Sequence, residues 1–343
     1  MRALVLDDYS LLKVHEVPDL VPGPGEVLIK VAAVGICGSD IHGFTGANGR
    51  RFPGQVMGHE AAGTVAAVGA EAFGTVGTPV TFNPLIGCGQ CEQCSGGTPQ
   101  RCSERKVIGV SPEISAAFAE YVVVPARNVR VLPDGMSPIR GALIEPLAVA
   151  FHATRRAGIT PGDVVLVIGG GPIGQSIVLA AQQYRPTRVL VSDLSSERRN
   201  LVASLGSPVA PVDVLDPTAG PLAPQVRLLA GRLADVTIEA VGVSISLADA
   251  LQATQPGGTV TLVGMGSPRL ELDAYAISTH ERSLIGCFCY TDQDFDTAVT
   301  WAGDHPDQLE RLISAEISLD QAPQAFADLA GTQPSAGKVL VLP

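Results

Sequence analysis

The chain has 343 residues, 46% hydrophobic and 17% charged, a globular composition long enough for about two domains. A net charge of −11 and a pI near 5.0 argue against nucleic acid or an anionic membrane as partner, since each calls for a basic face. No apolar run approaches the roughly 20 residues of a membrane span, and the opening MRALVLDDYS reaches two aspartates too soon for a secretory signal, so a cytoplasmic protein is expected.

The first third reads as short strands between turns. EVLIKVAAVGI is apolar and β-branched after the turn PGPGE, and AEYVVVPARNVRVLP reads as two strands. Around residue 150 the pattern changes: FHATRRAGI is helical, and TPGD punctuates the chain before a new pattern begins. From Val164 to Gly286 the apolar strands VVLVIG, RVLVSD, DVTIEAVG, GTVTLVG and SLIGCF alternate with helical PIGQSIVLAAQQY, SERRNLVASLG and ISLADALQAT. Such alternation predicts an α/β fold with a parallel sheet covered on both faces. The last stretch is helical and closes on a strand, GKVLVLP, that could pack back on the first third.

Three motifs carry chemistry. VVLVIGGGPIG puts Gly169, Gly171 and Gly174 in the G-x-G-x-x-G pattern between a strand and a helix, the context in which the glycines admit pyrophosphate to a helix N-terminus. The next strand ends at Asp193, a carboxylate placed to accept from ribose hydroxyls and repel a 2′-phosphate, so NAD is favoured over NADP. Arg198 and Arg199 just downstream could meet that phosphate, but their pattern alone reads as a solvated helix face. Cys88, Cys91, Cys94 and Cys102 follow the spacing C-x2-C-x2-C-x7-C, which lets four thiolates converge on one ion. That describes a structural zinc, although an iron–sulfur cluster also uses four cysteines. Finally, GICGSDIH supplies Cys37 and GHEAAGTV supplies His59 and Glu60. With Glu145 of IEPLAVAFHA as a further carboxylate, cysteine, histidine and one carboxylate make a mixed sulfur, nitrogen and oxygen set of three that leaves one metal position open.

In this order, GICGSDIH, GHEAAGTV, the cysteine quartet, EPLAVAFHA and GGGPIG resemble the medium-chain zinc-dependent dehydrogenases over nearly the whole chain. The glutamate in EPLAVAFHA resembles the polyol, threonine and sugar-alcohol-phosphate branches more than the simple-alcohol branch. The resemblance implies a GroES-like catalytic domain at 1–149 completed by 290–343, and a Rossmann domain at 150–289. It implies two Zn2+ per chain. Cys37 and His59 would bind the catalytic zinc with either Glu60 or Glu145, and the four cysteines would bind the structural zinc. Ser39 would hydrogen-bond the reacting oxygen and His42 would help pass its proton to solvent. Pro172, Ile173, Arg198, Val241 and Gly264 would join the glycines and Asp193 in holding NAD. A small-molecule alcohol or polyol is the expected substrate, and a homotetramer or homodimer the expected assembly, with SLIGCFCY as the joining edge.

Two rivals account for less. A nucleophilic Cys37 leaves His59, Glu60 and the glycine turn without a role. A metal-stabilised NAD-binding protein without activity leaves the open metal set unexplained. Cys287 and Cys289 are expected as packed thiols in the last sheet strand. Arg50 and Arg51 are expected in a solvated loop, with contact to an anionic substrate as the alternative.

Overall fold

A computed structural model describes residues 1–47, 49–207, 209–331 and 335–343. The chain divides into two compact units, Met1–Ala148 with Tyr290–Pro343, and Val149–Cys289. Among the described residues no helix is long and apolar enough to cross a membrane.

The first unit is built on the strand Glu26–Gly35, whose side chains largely alternate between core and surface. It pairs antiparallel with Glu60–Val68 and Tyr121–Pro125. At its far end it also pairs antiparallel with the C-terminal strand Lys338–Leu342, through Leu340 and Gly35. That register sets Gly35 opposite Glu60 and brings Lys338 from the far end of the sequence to the same place. A Cβ on Gly35 would stand 2.3 Å from Glu60 Oε2, so only glycine leaves room for the carboxylate. Beneath, the helix Ala322–Ala330 packs Phe326 edge-on to Phe118 and Phe44, with centroids 5.4 and 5.7 Å away. Phe44 ends the short helix Gly38–Phe44, which comes directly after Cys37. The core therefore ties the C-terminal segment to the helix carrying the polar loop.

The second unit holds a six-stranded parallel sheet in the order Val212–Leu215, Arg188–Ser192, Val164–Ile168, Ala234–Glu239, Thr254–Leu262, Ser283–Gly286. Numbered along the chain this is 3-2-1-4-5-6, the doubly wound dinucleotide order, with its switch point between Val164–Ile168 and Ala234–Glu239. Val212–Leu215 and the helix Leu222–Ala230 do not stand out by pattern. The strand has four residues interrupted by Asp213, and the helix carries Pro224 in its first turn, so neither shows a clean period. Cys287 and Cys289 are not in the last strand, which ends at Gly286. Both are partly exposed, and Cys289 has left-handed backbone (φ 48°).

Candidate active site and metal centres

Cys37, His59 and Glu60 come together although they lie on separate segments of the chain. Cys37 caps the Gly38–Phe44 helix, and Glu60 opens the strand paired with Glu26–Gly35. One donor atom from each of the three lies within 4.8 Å of the others, close enough to share an ion. Ser39 and His42 lie three apart on the helix, a spacing that puts side chains on one face, and both are half-buried.

The surroundings are strongly charged for a buried place. Asp40, wholly buried, stands at the third position of the helix, and its Oδ2 accepts the Cys37 N–H at 3.2 Å. Its Oδ1 lies 3.5 Å from His59 Nδ1 and 3.2 Å from Arg51 Nη2. Burial works to raise the Asp40 carboxyl, yet His59, Arg51 and the Cys37 amide hold it below its ordinary value. Burial likewise works to lower His59, but Asp40 and Cys37 beside it raise the imidazole well above its usual value. Lys338 Nζ donates to Glu60 Oε1 at 2.8 Å and to the Ile36 carbonyl at 3.3 Å, and lies 2.6 Å from Glu60 Oε2. Desolvation opposes its charge, but Glu60, Cys37 and Glu145 raise it.

Glu145, in the first turn of the helix Ile144–Ala157, accepts from the buried Tyr290 hydroxyl at 2.8 Å. Burial pushes its carboxyl up to about 7, with His59 and Tyr290 opposing and Glu60 adding to the rise. Three buried carboxylates and a thiol thus meet Arg51, Lys338 and the His59 imidazole, whose charged form Asp40 and Cys37 favour. His59 Nδ1 and Glu60 Oε2 are enclosed and face their ion-pair neighbours, Asp40 and Lys338. A divalent cation that displaces the imidazole proton fits this donor set, one sulfur, one nitrogen and one carboxylate oxygen within 4.8 Å of one another.

Arg51 differs from expectation. It is neither in a solvated loop nor available to a substrate, being 1% exposed and paired with Asp40. Arg50 is exposed.

The quartet is likewise assembled. Cys88, Cys91, Cys94 and Cys102 present sulfur atoms within 4.8 Å of one another. Cys88 Sγ and Cys94 Sγ are 3.9 Å apart, far beyond a disulfide but close to the roughly 3.8 Å edge of a tetrahedron with 2.3 Å zinc–sulfur bonds. Backbone N–H groups of Gln90 and Cys91 bring Cys88 down to about 7. Cys94, although the Gly89 N–H favours its thiolate, is pushed up to about 11 by burial and the other three thiols. Four thiolates cannot coexist there without a cation.

In the second unit Gly171 caps the helix Pro172–Ala181, with Pro172 at its first position, where a missing N–H costs nothing. Gly169 has φ 102°, and a Cβ on Gly174 would stand 1.8 Å from the Gly169 carbonyl oxygen. Both glycines are therefore required by the turn itself. Asp193 Oδ2 accepts the Gly170 N–H at 2.7 Å, and its Oδ1 accepts that of Ser195 at 2.8 Å. Arg198 lies 3.8 Å from the Asp193 carboxylate and beside Gly171, while Arg199 pairs with Asp216 at 2.7 Å. Neither is a simple solvated arginine. Val241 touches the Gly169 position, and Gly264 packs on Gly242. Buried Glu239 accepts the N–H groups of Val241 and Gly242 and so shapes this loop.

Asp40, Lys338, Tyr290 and Glu239 escape a reading of the sequence. Asp40 carries a signal, being a carboxylate three residues after a cap position. Lys338 carries another, as a lone charge opening the apolar strand KVLVL.

A dinucleotide-type sheet and a mixed-donor set able to share a metal ion, on one chain, define a metal-dependent dehydrogenase. Comparison with known proteins agrees. Residues 23–134 match the alcohol dehydrogenase GroES-like domain and residues 172–304 the zinc-binding dehydrogenase family. The chain is 31% identical to a probable D-xylulose reductase A of Emericella nidulans, over 95% of this chain and 92% of that protein. It is 36% identical to L-galactonate-5-dehydrogenase of Escherichia coli over 82% of this chain and 81% of that one. Among solved structures, a zinc-binding dehydrogenase from Sinorhizobium meliloti bound to NADP superposes with a TM-score of 0.89 at 32% identity, covering 100% of this chain and 99% of that one. The chain belongs to the medium-chain zinc-dependent dehydrogenases and is an oxidoreductase.

Proposed function

We propose that the protein oxidises a secondary alcohol of an open-chain polyhydroxy compound, a polyol, diol or sugar acid, with NAD as hydride acceptor. The observation that carries this is the convergence of Cys37, His59 and Glu60, whose sulfur, nitrogen and oxygen donors lie within 4.8 Å of one another. When bound, zinc supplies Lewis acidity to the substrate hydroxyl and NAD supplies the hydride acceptor. Cys37, His59 and Glu60 would hold the metal, and Cys88, Cys91, Cys94 and Cys102 the structural zinc. Glu60 takes the ligand role ahead of Glu145, because the Glu60 carboxylate lies within 4.8 Å of the Cys37 and His59 donor atoms and Glu145 stands outside that group.

Ser39 would accept and pass on the proton of the substrate hydroxyl, and His42, one turn further along the same helix face, would release it to solvent. Gly169, Gly171, Pro172, Ile173 and Gly174 would carry the pyrophosphate on the helix N-terminus, flanked by Arg198, Val241 and Gly264. Asp193 would accept from the adenosine ribose hydroxyls and disfavour a 2′-phosphate. The names of the relatives, a D-xylulose reductase and an L-galactonate dehydrogenase, support the polyhydroxy substrate class. Ser283–Gly286 ends its sheet and offers backbone groups for edge-to-edge pairing in a homodimer or homotetramer. Acidic composition and clustered reduced cysteines suit the cytoplasm.

A panel of polyols, 2,3-diols, threonine, aldonates and sugar-alcohol phosphates, monitored by NADH absorbance, tests the proposal. NAD reduction is expected with at least one polyhydroxy compound. Tight NAD binding with no turnover across the panel would instead favour a non-catalytic binder.

A further inference from the structure

Arg51 lies among the most enclosed side chains of the protein and has no place in the proposed chemistry. It reaches its position beneath the Gly38–Phe44 helix only because residue 43 is glycine. A Cβ there would be 2.2 Å from Arg51 Cγ and 2.9 Å from Arg51 Cβ. The Tyr9 hydroxyl donates to the Arg51 carbonyl at 3.2 Å and anchors its backbone. Its guanidinium meets Asp40, and Asp40 in turn receives the Cys37 N–H and faces His59 Nδ1. One buried carboxylate therefore stands against two proposed metal-holding residues, which come from different segments. A wholly buried carboxylate is stable in such a position only with a matching cation, and Arg51 is the cation on its remaining side.

We infer that Arg51 is a positioning residue for the catalytic metal, acting through Asp40 to hold Cys37 and His59 in register. This rests on the proposed zinc reading of the site. Partners one step removed from a metal set ligand orientation, and their loss commonly weakens metal binding about 10–100-fold. The guanidinium is permanently charged and fork-shaped, so lysine replaces it only in part. Were Arg51 merely a packing element, its loss would lower stability generally and leave the two metal sites equally affected.

The test uses full-length, zinc-loaded enzyme and measures release of each zinc to a chelator. A Cys37→Ser variant identifies which release belongs to the catalytic site. Wild type should hold two zincs per chain. Arg51→Gln should release the catalytic zinc at least about tenfold faster while the four-cysteine zinc is unchanged. Arg51→Lys should recover part of the difference. If Arg51→Gln does not fold, Gly43→Ala keeps the charge but displaces the side chain, and should show the same selective loss. Release within twofold of wild type, or equal acceleration at both sites, overturns the inference while leaving the zinc reading intact. A wild-type chain that binds one zinc, retained in Cys37→Ser, overturns both.

Discussion

Only four lysines occur in this chain, and one of them is buried against Glu60. Lys338 compensates a carboxylate that, without it, would sit charged in the interior. Breaking a buried pair by removing one partner costs about 3–5 kcal/mol, because the other charge is left uncompensated. Lys338→Met should therefore destabilise the metal-free protein by several kcal/mol, and the zinc-loaded protein by less, since the ion takes over part of the compensation. Denaturant unfolding of both forms measures the difference. Equal losses in the two forms would show that Glu60 does not face the metal. At this scale, residues in compact motifs are readable because neighbours in sequence supply the pattern, as with Cys37, His59 and the quartet. Lys338, Tyr290 and Arg51 are not, because their partners lie 278, 145 and 11 residues away and meet only through strand register and a glycine-sized gap.

Elements carry the next set of constraints. The glycine turn works because a strand ends and a helix begins within five residues, leaving no room at Gly174 for a methyl group. Gly174→Ala should push the Gly169 carbonyl aside and weaken NAD binding about tenfold or more, which isothermal titration reads, with both zincs retained. Unchanged NAD affinity would mean that the dinucleotide does not use this turn. The cysteine loop has little regular structure of its own, with a four-residue helix and a single turn of 3-10 helix. A metal must supply what hydrogen bonding does not. Cys94→Ser should lose one zinc and lower the thermal midpoint, whereas an unchanged midpoint would contradict a structural role. Wholly apolar strands such as Val164–Ile168 are legible from their pattern. Short or proline-bearing elements at the sheet edge, Val212–Leu215 and Leu222–Ala230, are not, because tertiary pairing rather than local preference forms them.

For the whole molecule, the two chemical tasks are distributed over the two compact units. The proposed metal donors Cys37, His59 and Glu60, with Glu145, belong to the unit that contains both chain ends, and the proposed dinucleotide turn belongs to the intervening segment. Loss of the metal set should therefore leave cofactor binding in place. The central claim is that Cys37, His59 and Glu60 share an ion, and zinc content and NAD affinity of Cys37→Ser beside wild type address it directly. Two zincs in wild type, one in the variant, turnover abolished and NAD affinity within about twofold is the predicted result. A variant that keeps both zincs and near-normal turnover would contradict it.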